Sequence, residues 1–197
     1  MRKTLTLIFM IVCLTVALVG CGGDPEVTET TIEVRKNGSV IHTIVEEFSE
    51  EYYDLEELMS VIQESCDAYN DSAGRKAVSV GDVEVTDGVL TAVMTYASVS
   101  DYASFNGQAL FAGSIRDAYN AGYTLDVTLQ SAREGEDSIA REDLLNMGEQ
   151  NLVIIREAVA VRMWGKARYY TQDVEPGKDA RTVRVTDPDT LSYIVFD

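Results

Sequence analysis

The stretch Thr31-Ile32-Glu33-Val34-Arg35-Lys36-Asn37-Gly38-Ser39-Val40-Ile41-His42-Thr43-Ile44-Val45 decides the fold. Its first five residues alternate polar and apolar, the period of a strand with one buried face. Asn37-Gly38 supplies two residue types that tolerate positive φ, as a type I′ turn requires, and the run from Ser39 to Val45 returns with β-branched residues. The same chemistry recurs downstream, where Val78 to Val85 and Val89 to Tyr96 flank Asp87-Gly88. Between the two hairpins, Leu55, Leu58, Ile62, Cys66 and Tyr69 recur on one helical face, while Glu56, Glu57, Gln63, Glu64 and Asp67 fall elsewhere. This spacing predicts an amphipathic helix over residues 54–70, opened by Asp54 with Glu57 three residues on, and with acids at its positive end.

Working outward, Asp101 opens a short helical turn and Asn106-Gly107 closes it. Ser114 with Asp117 predicts a second capped helix, stopped by Gly122. Tyr123 to Leu129 reads as a strand and residues 140–147 as a short helix. Beyond Gly148 the chain is almost wholly β, with candidate strands at Leu152 to Ile155, Val159 to Trp164, Arg168 to Thr171, Arg181 to Val185 and Leu191 to Phe196. The expected class is α+β: a largely antiparallel sheet of hairpins and a C-terminal meander, with helices on one face. Residues 30–197 are expected to form one domain.

The N-terminus sets an address. Arg2 and Lys3 form a short positive region, and Leu5 to Val19 is an uncharged, mostly apolar run too short for a comfortable membrane span. Leu18-Val19-Gly20-Cys21 resembles the lipobox of bacterial membrane lipoproteins, small residues before an obligatory Cys. The resemblance implies that the Cys21 thiol is acylated and that a signal peptidase removes residues 1–20. Residues 21–29 then form a flexible tether. Two acyl chains hold a protein on a membrane durably where one does not. The implied location is the extracytoplasmic face of the cell membrane.

The charge is −17 over 197 residues, and it is uneven. Residues 24–100 carry 17 acids and 4 bases, whereas residues 101–197 carry 16 acids and 10 bases, so the second half is where an anionic partner would find attraction. Such a chain repels nucleic acid, which is not an expected partner. Cys13 leaves with the signal and Cys21 is acylated, so Cys66 has no disulfide partner and is expected to be a buried, inert thiol. Asn37-Gly38-Ser39 and Asn70-Asp71-Ser72 match glycosylation sequons but read as chance in a lipobox protein. No cofactor and no metal site are expected: His42 is the only histidine, expected on the sheet surface, and the acid run Glu46 to Glu57 lacks the spacing of a calcium loop. No nucleophile motif accompanies His42. Asp187-Pro188-Asp189 reads as a turn before it reads as a ligand pair.

The one local exception to the acidic character lies in Val159 to Thr171. With Gly165-Lys166 taken as a two-residue hairpin turn, Val159, Val161, Met163 and Tyr170 share one face and Arg162, Trp164 and Tyr169 the other. Arg162, Trp164, Lys166 and Tyr169 are therefore the candidate binding residues, able to stack on a sugar or hold an anionic group. The competing expectation is a Trp packed under a helix with Arg162 reaching to water. The sequence favours a non-enzymatic lipoprotein that binds or scaffolds an envelope protein or glycan. The alternative is a carboxylate-based hydrolase of cell-envelope glycan.

Overall fold

The computed structural model describes residues 28–50 and 53–197. The expected signal segment, Cys21 and most of the expected tether lie outside the described residues. β1 (Thr31–Val34) and β2 (Val40–Glu47) pair antiparallel, from Val34↔Val40 to Thr31↔Thr43. Their connection corrects the expected turn. Gly38 N–H donates to the Arg35 carbonyl and Arg35 N–H to the Ser39 carbonyl, both at 2.9 Å, and only Gly38 is left-handed, at φ +84. This is a three-residue turn with a glycine bulge. Asn37 instead uses its side-chain oxygen to accept from Ser39 N–H (3.1 Å) and the Ser39 hydroxyl (2.7 Å).

α1 (Leu55–Ala73) starts where the Asp54 carboxylate accepts from the Glu56 and Glu57 N–H groups at 2.8 and 3.1 Å, and ends at left-handed Gly74. Asn70 ties its last turn to the next strand, accepting from Ala77 and Val78 N–H and donating to the Val78 carbonyl. β3 (Val78–Thr86) and β4 (Val89–Tyr96) are joined by Asp87 (φ 52) and Gly88 (φ 77), the two left-handed residues of the expected type I′ turn. α2 (Val99–Asn106), β5 (Leu110–Ser114) and α3 (Ile115–Asn120) follow, α3 carrying the reciprocal Ser114–Asp117 cap.

Tyr123 to Leu129 is not a strand. It is irregular apart from a bridge between Leu129 and Ile139, and its apolar residues Leu125 and Leu129 are spent as fully buried plugs rather than as one face of a ladder. The remaining elements are β6 (Gln130–Ser131), α4 (Arg141–Asn146), β7 (Asn151–Ile155), β8 (Ala160–Arg162), β9 (Ala167–Tyr170), β10 (Val174–Pro176), β11 (Thr182–Val185) and β12 (Ser192–Phe196).

The class is α+β with mostly antiparallel pairing, in two sheets. The first runs β10-β11-β8-β1-β2-β4-β3 and the second β5-β7-β12-β9-β6. β1 and β8 pair parallel, and the other strand pairs are antiparallel. The C-terminal strands pass back and forth between the sheets: β7, β9 and β12 join the second, β8, β10 and β11 the first. Ile32, Val34, Val161 and Val183 from the first sheet meet Val153, Ile155, Ile194 and Phe196 from the second in one core, which Cys66 of α1 and Tyr102 of α2 extend. The second sheet's other face, with Leu152, Ile154, Tyr193 and Val195, packs under α3, α4 and the Leu125–Leu129 segment. Strands buried on both faces need apolar side chains at every position. This is why β7 and β12 read as continuous apolar runs. All the helices therefore stack on one side of the first sheet.

Candidate functional site

The parallel pair creates the site. β1 and β8 run side by side, with Ile32 opposite Val161 and Glu33 opposite Arg162. At their shared C-terminal end they part: β1 turns back at Arg35–Gly38 into β2, whereas the chain after β8 crosses through Met163–Lys166 to β9 in the second sheet. The divergence leaves an open cleft of about 340 Å³, whose lining includes Glu33, Arg35, Lys36, Arg162, Trp164 and Arg181. Arg181 immediately precedes β11, which pairs antiparallel with β8.

Charge dominates this cleft. Arg162 Nη1 lies 3.0 Å from Asp179 Oδ2, and Arg35 Nε lies 3.0 Å from Glu33 Oε1. Burial alone would raise the Asp179 carboxyl. The Arg181 N–H, the Thr182 hydroxyl and the Arg162 guanidinium outweigh it and hold the group below the usual carboxylate range. The Lys36 ammonium and Arg181 guanidinium have no ion pair among the described residues. Four cations thus face Glu33 and the neighbouring Asp179, an excess of two positive charges. Trp164 is half-buried. Its ring meets Phe196 edge-to-face at a centroid distance of 4.6 Å, so it is rooted in the inter-sheet core while lining the cleft.

Of the four candidate residues, the structure brings Arg162 and Trp164 together. Lys166 is exposed beyond the cleft, its carbonyl accepting from Asp197 N–H at 3.1 Å. Tyr169 sits opposite Val195 and packs into the second core, on the far side of the second sheet. The shared face was wrong because Gly165-Lys166 is no hairpin turn: β8 and β9 belong to different sheets. Gly165 serves a close approach instead, since a Cβ there would run into the Asp197 carbonyl. Val159, Val161, Met163 and Tyr170 do share one environment, the inter-sheet core, although they reach it from opposite sheets.

His42 is also corrected. It is 3 % exposed and faces inward between Ile32 and Met94, with its ring against Tyr102 at 5.5 Å. Neither ring nitrogen has a hydrogen-bond partner among the described residues, and burial pushes its pKa down to about 4. Nearby, the Tyr102 hydroxyl donates to Glu157 Oε2 at 2.7 Å, and burial raises the Glu157 carboxyl. Among the described residues no hydrogen-bonding group orients His42, as a general base requires. Cys66 is buried, and burial together with Asp67 raises its thiol pKa. Asp187 caps its own turn, accepting from Asp189 N–H and the Thr190 hydroxyl.

Among the described residues no group of three or more His, Cys, Asp or Glu side chains could hold a metal ion, and no helix is long and apolar enough to cross a membrane. No family model, no curated protein and no solved structure matches the chain.

Proposed function

We propose that the protein is a lipid-anchored, extracytoplasmic binding or scaffolding protein, without chemistry of its own, that engages an anionic component of the cell envelope through the cleft at Trp164. One observation carries this reading: four cationic residues line the same cleft as Trp164 on a chain of net charge −17. At physiological ionic strength charges are felt over about 8 Å, so the sign of the potential inside the cleft follows its own cations rather than the distant acids. Trp and Arg together offer rigid apolar area and directed donors, the pairing that dominates many binding surfaces. The lipobox at Cys21 supports the location, because an acylated N-terminus would hold the cleft close to envelope polymers. Binding is favoured over glycan hydrolysis because Glu33, the one carboxylate among the lining residues, is engaged by Arg35. A hydrolase needs two carboxylates facing each other across the scissile bond.

Co-sedimentation with insoluble cell-wall material at low salt tests this reading. The parent protein should pellet with the wall, and the Lys36→Glu/Arg181→Glu variant should stay in solution. Equal pelleting of the two proteins would remove the cleft from the account.

A further inference from the structure

We infer that the ligand of this cleft carries a phosphate on a sugar, an inference that rests on the anion-binding reading above and narrows it. Three features of the cleft select the group. First, its excess of two positive charges matches the dianion of a phosphate monoester, whose second proton leaves near pH 6. Second, the cations arrive from three separate segments: Arg35 and Lys36 from the β1–β2 turn, Arg162 from the end of β8, and Arg181 from the residue before β11. A carboxylate takes its donors close to one plane, whereas the tetrahedral oxygens of a phosphate accept donors converging from several directions. Arg35 and Arg162 each hold their acid through a single nitrogen, and an arginine has five N–H donors, so both keep donors for a ligand. Third, the half-buried Trp164 supplies an apolar ring beside those donors, and a volume of about 340 Å³ is at the small end of ligand pockets, room for one sugar unit. A phospholipid headgroup fits less well, because the acidic remainder of the chain would be repelled by an anionic bilayer.

Trp164 is the only tryptophan, so its emission reports on the cleft without engineering. The full-length protein, held in a non-ionic detergent at pH 7.5 and low salt, is titrated by fluorescence and calorimetry with glucose 1-phosphate, malonate, glucose and phosphatidylglycerol vesicles. Glucose 1-phosphate should saturate. Malonate, with the same two charges on planar carboxylates, should bind at least about tenfold more weakly, the loss of roughly one charge-assisted hydrogen bond. Glucose should not bind measurably. Arg181→Gln and Lys36→Gln should each weaken the phosphosugar several-fold while circular dichroism stays that of the parent. Malonate binding as tightly as the phosphosugar, or vesicles binding in its place, would overturn the inference and leave the anion-binding reading intact. Silence towards glucose 1-phosphate, malonate and vesicles alike would overturn both.

Discussion

His42 shows how a single residue can be misread and what it costs. The alternation Val40, His42, Ile44 places it on the inward face, but its polarity suggests the surface. Alternation decides, because a strand with one buried face cannot turn one side chain around without slipping its register. The consequence is a pH dependence with a defined sign. Folded His42 titrates at about 4 and unfolded His42 near 6.5, so between those values the unfolded chain binds more protons. Stability should therefore fall as pH drops from 6.5 towards 4, by about 3 kcal/mol in total from this residue. Glu157 works in the opposite direction: its raised pKa lets the folded state keep a proton the unfolded state has lost, above the ordinary carboxyl range. Urea midpoints measured across this interval should drop for the parent and drop less for His42→Leu; parallel profiles would show that His42 does not titrate on unfolding. Cys66 was legible because its stripe with Leu55, Leu58, Ile62 and Tyr69 was unbroken, and it predicts slow labelling by a bulky thiol reagent unless the protein is unfolded.

At the scale of elements, the helix caps and the β3–β4 turn were readable from neighbours in sequence, whereas the Asn37-Gly38 turn type and the Tyr123–Leu129 segment were not. Asp54, Ser114 with Asp117, and Asp87-Gly88 each carry their local structure within four residues. Pairings between distant segments were not. The β1–β8 pair joins residues well over a hundred positions apart, and the crossings between sheets leave no local periodic mark. Arg35 and Lys36 reach Arg162 only through that pairing, and Arg181 only through the β8–β11 pair, so half of the cleft was invisible in the chain of letters, and Tyr169 was assigned to it in error. The buried carboxylate of Asp101 illustrates a second long-range tie: Arg75 beyond α1 donates to it at 2.7 and 2.9 Å, and the Ser98 hydroxyl at 2.6 Å. Asp101→Ala should cost about 2 kcal/mol, because it removes the acceptor shared by the Ser98 and Tyr69 hydroxyls and the half-exposed Arg75 guanidinium. Trp164→Ala should cost about 2 kcal/mol, less than for a fully buried ring, while abolishing the response to an anionic ligand. Chemical denaturation with matched binding assays separates the two effects; a loss of stability with binding intact would make Trp164 a core residue only.

At the scale of the molecule, two sheets in a chain of net charge −17 carry a cleft lined by Arg35, Lys36, Arg162 and Arg181 where two strands diverge. On the proposed reading, the net charge discourages non-specific contact with anions, and the cleft supplies the local attraction for one. Cys21→Ala should release the protein from membranes into the soluble fraction, with retention of the variant counting against the lipid anchor. The most direct test of the cationic cleft uses Trp164 with charged quenchers. Iodide is drawn to positive potential and caesium is repelled by it, so the ratio of their quenching constants, each taken relative to that for free tryptophan in the same buffer, reads the sign of the field at one ring. In the parent, iodide should quench more strongly than caesium, with the ratio falling as salt is added and reversing in Lys36→Glu/Arg181→Glu. Caesium quenching more strongly in the parent, as the net charge of −17 alone would dictate, would contradict the account.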